Sequence, residues 1–212
     1  MIFLAFEGLD GSGKSSLMKQ LEEHLILKKI QFIQTREPGG TAIGDKLREI
    51  ILEKSSQPPP SPRTELLLYQ ASRAQHVDQV IQPALEAKKW VLCDRFTASS
   101  IAFQSSGRQI SRHDVNWLNT FSTNSLKPNL QILLDLTTDE SKKRRQKRAD
   151  QVGEDEDRME SEADDFHQRV RHGFLIQAEE SPSEWLVLNA AKTQKELFQE
   201  LLTELRDRKW LA

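Results

Sequence analysis

The chain has 212 residues, 37% of them hydrophobic, which is enough apolar material for one well-formed core, and a single domain over residues 1–212 is expected. Thirty basic residues against thirty-two acidic ones leave a formal charge of -2, so no global positive field argues for nucleic acid or an anionic membrane as a partner. No run approaches the ~20 apolar residues of a membrane span, the apolar start IFLAF lacks a basic leader, and Cys93 is the only cysteine, so a soluble protein of the cytoplasm without an internal disulfide is expected.

Short apolar runs alternate with longer amphipathic stretches along the chain. IFLAFE (2–7) reads as a buried strand, followed by a helix in SSLMKQLEEHLILKK (15–29). IQFIQT (30–35) is the second strand and AIGDKLREIILEK (42–54) the second helix. QPPPSP (57–62) is a stiff connector, after which TELLLYQASRAQHVDQVIQPALEAKK (64–89) is helical and bent or broken near Pro83. WVLCD (90–94), LQILLDL (130–136) and WLVLN (185–189) complete a set of five strands. This alternation predicts an α/β fold of three layers, a five-stranded parallel sheet flanked by helices.

Between the first strand and the first helix lies Gly8-Leu9-Asp10-Gly11-Ser12-Gly13-Lys14-Ser15, which satisfies the phosphate-binding pattern G-x-x-x-x-G-K-[ST] of the P-loop. In that context the backbone N–H groups of Gly8 to Ser16 and the helix N-terminus converge on a polyphosphate such as that of ATP. Lys14 then reaches the β- and γ-phosphates, and the Ser15 hydroxyl ligates Mg2+. A second signal is WVLCDRF, where a buried strand delivers Asp94 and Arg95 at its C-terminal end, the edge at which ligands bind in such sheets. Asp94 suits a magnesium ion held through water, and Arg95 suits a phosphate; taken alone, the pair could equally be a helix cap and its ion-pair partner.

TREPGGT (35–41), LLLYQASR (66–73), DRFTASSIAFQ (94–104) and DRMESEADDFHQRVRHGFL (157–175) follow the P-loop in an order that resembles the bacterial thymidylate kinases over nearly the whole chain. The resemblance implies a P-loop NTPase fold with a mobile lid, and transfer of the γ-phosphoryl group of ATP to dTMP. Asp10 would then bond the sugar 3′-hydroxyl of the acceptor, where its residue type alone suggests only a turn before glycine. Arg48 and Arg95 would clamp the acceptor 5′-phosphate. Tyr69 would stack on the pyrimidine and Arg73 bond its exocyclic oxygen, although by spacing alone LLLYQASR is an amphipathic helix with a core tyrosine. Ser100 and Gln104 match base-contacting positions, Phe103 an aromatic near C2′ of the sugar, and Glu37 a carboxylate near the acceptor phosphate. Gly39 and Gly40 let the backbone turn beside the substrate.

KKRRQKR (142–148) puts six basic residues in seven ahead of the acidic ADQVGEDEDRMESEADD. Such a run is usually a solvated helix face or a nucleic-acid patch. The resemblance places a lid here, about residues 142–165, carrying an arginine to the transferring phosphoryl group because Gly11 stands where other members of the family carry an arginine in the P-loop. Arg148 is the first candidate and Arg144 the second, alongside Lys14 and Arg95 as the charge-neutralising set. The family is also typically homodimeric, with the helices after the P-loop and around 64–82 available as a partner face. Among rival readings, a deoxynucleoside kinase would need a general base, and a GTPase switch would carry an N-K-x-D motif, which the sequence lacks.

Overall fold

The five apolar runs become the strands of one parallel sheet ordered β2-β3-β1-β4-β5. The structure is a computed structural model and describes residues 1–54, 58–152 and 156–211. In chain order the elements are β1 (Phe3–Glu7), α1 (Lys14–Leu27), β2 (Phe32–Arg36), α2 (Ala42–Leu52), α3 (Pro62–His76), a π-helical stretch (Val77–Ile81), α4 (Gln82–Glu86) and β3 (Trp90–Asp94). There follow α5 (Thr97–Ser100), a second π-helical stretch (Ile101–Gly107), α6 (Arg112–Ser122), β4 (Leu130–Asp135), α7 (Thr138–Val152), α8 (Asp164–Glu180), a short 3-10 turn (Pro182–Glu184), β5 (Trp185–Asn189) and α9 (Gln194–Asp207).

Strand side chains alternate in direction, and this sorts them into the cores of the two faces. Leu4 and Phe6 of β1, with Leu130, Ile132 and Leu134 of β4, pack against Leu17, Met18, Leu21 and Leu25 of α1 and Leu197, Leu201 and Leu205 of α9. Phe3 and Ala5 point the other way, with Val91 and Cys93, onto Val77, Ile81, Ala84 and Leu85 of the π stretch and α4. Leu133 also faces this second side, where Phe103, Phe166, Val170 and Phe174 join the 101–107 stretch to α8. The helix expected over 64–89 is interrupted by the π turn at Val77–Ile81, directly ahead of Pro83, which sits in the first turn of α4. Helix α6 was not anticipated from sequence: its buried positions include Asn119 and Ser122, so polar residues occupy part of the stripe where a hydrophobic period would show.

Parallel pairing aligns the C-terminal ends of β1, β2 and β3, with Phe6 opposite Asp94 and Asp94 opposite Arg36. The turns leaving these strands are GLDGSGK, EPGG and RFTASS. The sheet therefore gathers on one edge the three segments in which most of the candidate residues lie. Replacing Leu21, fully buried between α1 and the sheet, by alanine is expected to cost about 2–5 kcal/mol of stability. Leu27→Ala at the exposed end of the same helix should cost under about 0.5 kcal/mol; equal urea midpoints for the two variants would contradict this packing.

Candidate active site

Two clefts open on that edge and share a wall. The donor-side cleft is lined by Gly11, Gly13, Lys14, Ser15, Ser16, Asp94, Arg144, Arg148 and Glu160. The acceptor-side cleft encloses about 530 Å³, open solvent at its mouth included, between Glu37, Pro38, Tyr69, Arg73, Arg95, Ser100, Phe103, Gln104 and Met159. Asp10, Arg48, Leu52 and Asp157 line both. Of the P-loop residues, Gly8, Leu9 and Ser12 shape the loop from behind rather than lining either cleft: Leu9 and Ser12 are buried, and the Gly8 carbonyl accepts from Arg95.

An ion pair braces this wall at Asp10. Arg95 Nη2 donates to Asp10 Oδ1 at 2.8 Å, and Nη1 donates to the Gly8 carbonyl at 2.9 Å. Burial works against the charge on Arg95, but Asp10, Asp94 and Glu7 around it hold its pKa above the ordinary arginine value. Burial would likewise raise Asp10, yet Arg95 and Lys14 hold that carboxyl well below the usual carboxylate range. Lys14 Nζ donates to the carbonyls of Gly8 and Leu9 at 3.4 and 3.3 Å and stands 4.0 Å from both Asp10 and Asp94. Burial first, and then Arg95, lowers its pKa.

Arg95 adopts φ 71°, a left-handed conformation that costs a residue with a side chain roughly 1–2 kcal/mol. The bonds around it hold the turn. Arg95 N donates to the Phe6 carbonyl at 2.9 Å, and Phe96 N donates to Glu7 Oε1 at 2.8 Å. Ser99 Oγ donates to Glu7 Oε2 at 2.5 Å and accepts from Arg95 Nη1 at 3.3 Å. Glu7 is fully buried, and burial pushes its carboxyl up from 4.5 to about 7 against the opposing pull of Ser99 and Arg95.

Arg73 is equally enclosed. Its Nε donates to Glu37 at 2.7 Å, Nη1 to Gln70, Ser100 and Asn119 at 3.2, 2.8 and 2.9 Å, and Nη2 to the Phe96 carbonyl at 2.9 Å. Glu37, expected beside the acceptor phosphate, is occupied on both oxygens: Arg73 takes Oε2, and His76 Nδ1 approaches Oε1 at 3.1 Å. On the other side of the ring, His76 Nε2 lies 2.6 Å from Thr35 Oγ1 in a second hydrogen bond. A Cβ on Gly40 would meet this imidazole at 2.7 Å, so the REPGG turn and the histidine require glycine there. Tyr69, raised in pKa chiefly by burial and then by Glu65, is held as the neutral phenol.

The basic run lies on α7 and is matched by acid. Lys142 pairs with Asp164 at 3.0 Å, Arg145 with Glu156 at 3.3 Å and Arg148 with Glu160 at 2.6 Å. Residues 153–155 of the acidic tract, within the expected lid, and Gln57 of the QPPPSP connector lie outside the described residues. Arg144 donates to the carbonyls of Gly11 and Ala190 at 3.4 and 3.1 Å, tying the P-loop to the loop after β5. Gly11 has φ 76°, and a Cβ there would come within 3.1 Å of Arg144 Cβ and 3.3 Å of the Ser141 carbonyl. Helix α7 thus occupies the room that a P-loop arginine would need.

Sequence reading places Asp157, Met159 and Glu160 only within the acidic tract and the expected lid, and gives none of them a role of its own. Asp157 lines both clefts, Met159 the acceptor side and Glu160 the donor side; burial and then the charges of neighbouring carboxylates such as Asp10 raise the Asp157 pKa. Their one signal was the DR-x-E pattern itself. Glu7 was passed over inside an apolar run, where a charged residue in a buried strand was the signal available.

The family model for thymidylate kinase matches residues 6–201. The chain belongs to the thymidylate kinase family. It is 59% identical over 211 residues to the thymidylate kinase of Bdellovibrio bacteriovorus, covering 100% of this chain and 98% of that one. The thymidylate kinase of Geotalea daltonii is 43% identical over 189 residues, covering 88% of each chain. The crystal structure of thymidylate kinase from Ehrlichia chaffeensis superposes with a TM-score of 0.75 at 28% identity, over 96% of this chain and 98% of that one. No helix among the described residues is long and apolar enough to cross a membrane.

A carboxyl whose pKa is raised on folding adds stability that is complete below its unfolded value and is lost as pH rises through the folded one. Glu7→Gln should therefore gain stability relative to the wild type between pH 4.5 and about 7, and the difference should level off above that. A difference in urea midpoint that does not vary with pH would show that folding leaves the Glu7 pKa unshifted.

Proposed function

We propose that the chain transfers the γ-phosphoryl group of ATP to the 5′-phosphate of dTMP, giving dTDP and ADP. The observation that carries this reading is the shared wall: a P-loop cleft and a second cleft lined by Tyr69, Arg73, Phe103 and Gln104 meet at Asp10, Arg48 and Asp157. Two phosphates seated on opposite sides of that wall are brought into line for direct transfer. The acceptor oxygen is anionic near neutral pH and attacks phosphorus while the bond to the ADP oxygen breaks, so no general base is required.

Lys14 neutralises the donor phosphates, and Arg95 and Arg48 hold the acceptor phosphate. Arg95 donates to Asp10 Oδ1, and Lys14 also stands 4.0 Å from that oxygen, which leaves Oδ2 for the sugar 3′-hydroxyl. Phe103 lies under Arg95, with the guanidinium 5.0 Å from the ring centre, and closes the sugar end against a 2′-hydroxyl. Tyr69 offers its ring to the pyrimidine, and Arg73, fixed by Glu37, presents donors to its exocyclic oxygen with Ser100 beside it. Arg148, on α7 at the donor cleft and paired with Glu160, is the lid arginine that stabilises charge building up on the transferring group.

Ser15 and Asp94 fit a magnesium ion. Asp94 Oδ1 is buried without a hydrogen-bond partner next to the P-loop lysine, and among the described residues no cluster of three or more metal-ligating side chains exists. That donor set suits Mg2+, which takes one or two protein oxygens and completes its shell with phosphate and water. Bound there, the ion would offset charge on the β- and γ-phosphates.

The chain is also proposed to form a homodimer. Ile43 and Ile50 on α2, Leu67 on α3, and Trp117 and Phe121 on α6 are exposed on packed helices, the last two stacked at 5.9 Å. On α1, Ile26 and Leu27 are exposed as well.

An ADP-release assay across nucleoside monophosphates should give its highest kcat/KM with dTMP; preference for another acceptor, or release without an acceptor, would refute the assignment. Lys14→Ala should lower kcat at least about a hundredfold with the melting transition retained. Arg148→Ala should lower kcat while leaving KM for dTMP near wild type, whereas Arg144→Ala should act mainly on KM for ATP; the reverse pattern would exchange their roles. Replacing Trp117 and Phe121 together by glutamate should convert a sedimenting dimer into a monomer, and a monomeric wild type would contradict the interface.

A further inference from the structure

Glu65 on α3 lies outside both clefts and has no part in the chemistry above, yet it is an acidic residue that is fully buried. Four donor groups close on it. Arg158 Nη2 donates to Oε2 at 2.8 Å and Arg108 Nη2 to the same oxygen at 2.9 Å, with Arg108 Nε at 3.3 Å from both oxygens. Gln104 Nε2 donates to Oε1 at 2.9 Å. Arginine donates hydrogen bonds and accepts none, and the Glu65 oxygens accept from both guanidinium groups as well as from the Gln104 amide. The Gln104 amide can therefore sit in only one of its two orientations: nitrogen toward Glu65, oxygen away from it.

We propose that Glu65 is a positioning residue for base recognition, fixing Gln104 so that it presents its carbonyl oxygen to the acceptor cleft and selects a base whose ring nitrogen carries a proton. Gln104 lines that cleft beside Arg73, Ser100 and Tyr69, and its only side-chain hydrogen bond among the described residues is the one to Glu65. The imide N3–H of thymine or uracil donates to such an oxygen. N3 of cytosine is an acceptor, and two lone pairs would face each other with neither partner satisfied. The selection concerns the hydrogen-bonding edge and not the 5-methyl group, so it separates dTMP and dUMP together from dCMP. Arg158 extends the same hub to the segment that lines the clefts: it binds Glu65 and the Ile51 carbonyl, and its neighbours Asp157 and Met159 line the acceptor cleft.

The proposal rests on the dTMP-acceptor reading above, and its test keeps the two apart. In Glu65→Gln the neighbouring group can donate as well as accept, so the Gln104 amide is free to turn over. The ratio of kcat/KM for dTMP to that for dCMP should fall at least about tenfold, while the ratio for dTMP to dUMP stays at its wild-type value. Equal losses on all three nucleotides, leaving both ratios unchanged, would assign Glu65 a purely structural role and overturn the proposal. Should Glu65→Gln fail to fold, Glu65→Asp takes its place: it retains the charge opposite Arg108 and Arg158, withdraws the carboxylate from Nε2 by one methylene, and is read by the same ratios. A wild-type protein inactive on dTMP would instead refute the acceptor assignment itself, and the role of Glu65 with it.

Discussion

The Asp10–Arg95 pair is the constraint around which the site is organised. Asp10 leaves β1 in the P-loop, Arg95 leaves β3, and these two strands are neighbours paired with Phe6 opposite Asp94. Closing the pair across the strand ends sets the P-loop against the acceptor cleft at a fixed separation. It also resolves an electrostatic conflict. A carboxylate inside a loop that binds polyphosphate would repel its ligand, but this one is balanced by Arg95 and by Lys14, both within 4.0 Å. What remains at the wall is a partly neutralised group able to accept a hydroxyl.

Around that pair the buried acidic residues work in linked sets, each ending on a group that lines the same cleft. Glu7 and Ser99 support Arg95, Glu37 with His76 and Thr35 supports Arg73, and Glu65 supports Gln104. Isolated, any of these carboxylates would be expensive to bury; arranged so that their oxygens meet arginine, amide and hydroxyl donors, they are satisfied and hold side chains that would otherwise sample many rotamers. The same logic explains the acidic stretch after the basic helix. Glu156, Glu160 and Asp164 pair with Arg145, Arg148 and Lys142, so three of the six basic residues in what reads as a patch for an anionic polymer are matched by that stretch of the chain.

Most of the fold was legible because its signals are local. Five apolar runs of strand length, separated by helical periods, dictate a parallel sheet, and GLDGSGKS stands in the strand-loop-helix setting that its pattern requires. Helix α6 was hidden because Asn119 and Ser122 take buried positions on it, and they do so to bond Arg73 and Gln70 rather than to fill a core. The candidate residues Tyr69, Arg73, Phe103 and Gln104 were reached through family resemblance, since spacing alone reads them as ordinary helix. Their supports, Glu7, Glu65 and Asn119, were not reached at all. A supporting residue is defined by contacts across 39 to 92 positions of chain, and no local pattern records those.

The account depends on Asp10 and Arg95 acting as one unit, and a double-mutant cycle measures that directly. Asp10→Asn, Arg95→Lys and the double variant would be compared with the wild type by kcat/KM for dTMP at saturating ATP. If the pair forms the wall, the double variant should lose much less than the sum of the single losses, with a coupling of about 1–3 kcal/mol. Losses that add to within about 0.5 kcal/mol would mean that the two side chains act independently, and the shared wall would not be what holds the two clefts in line.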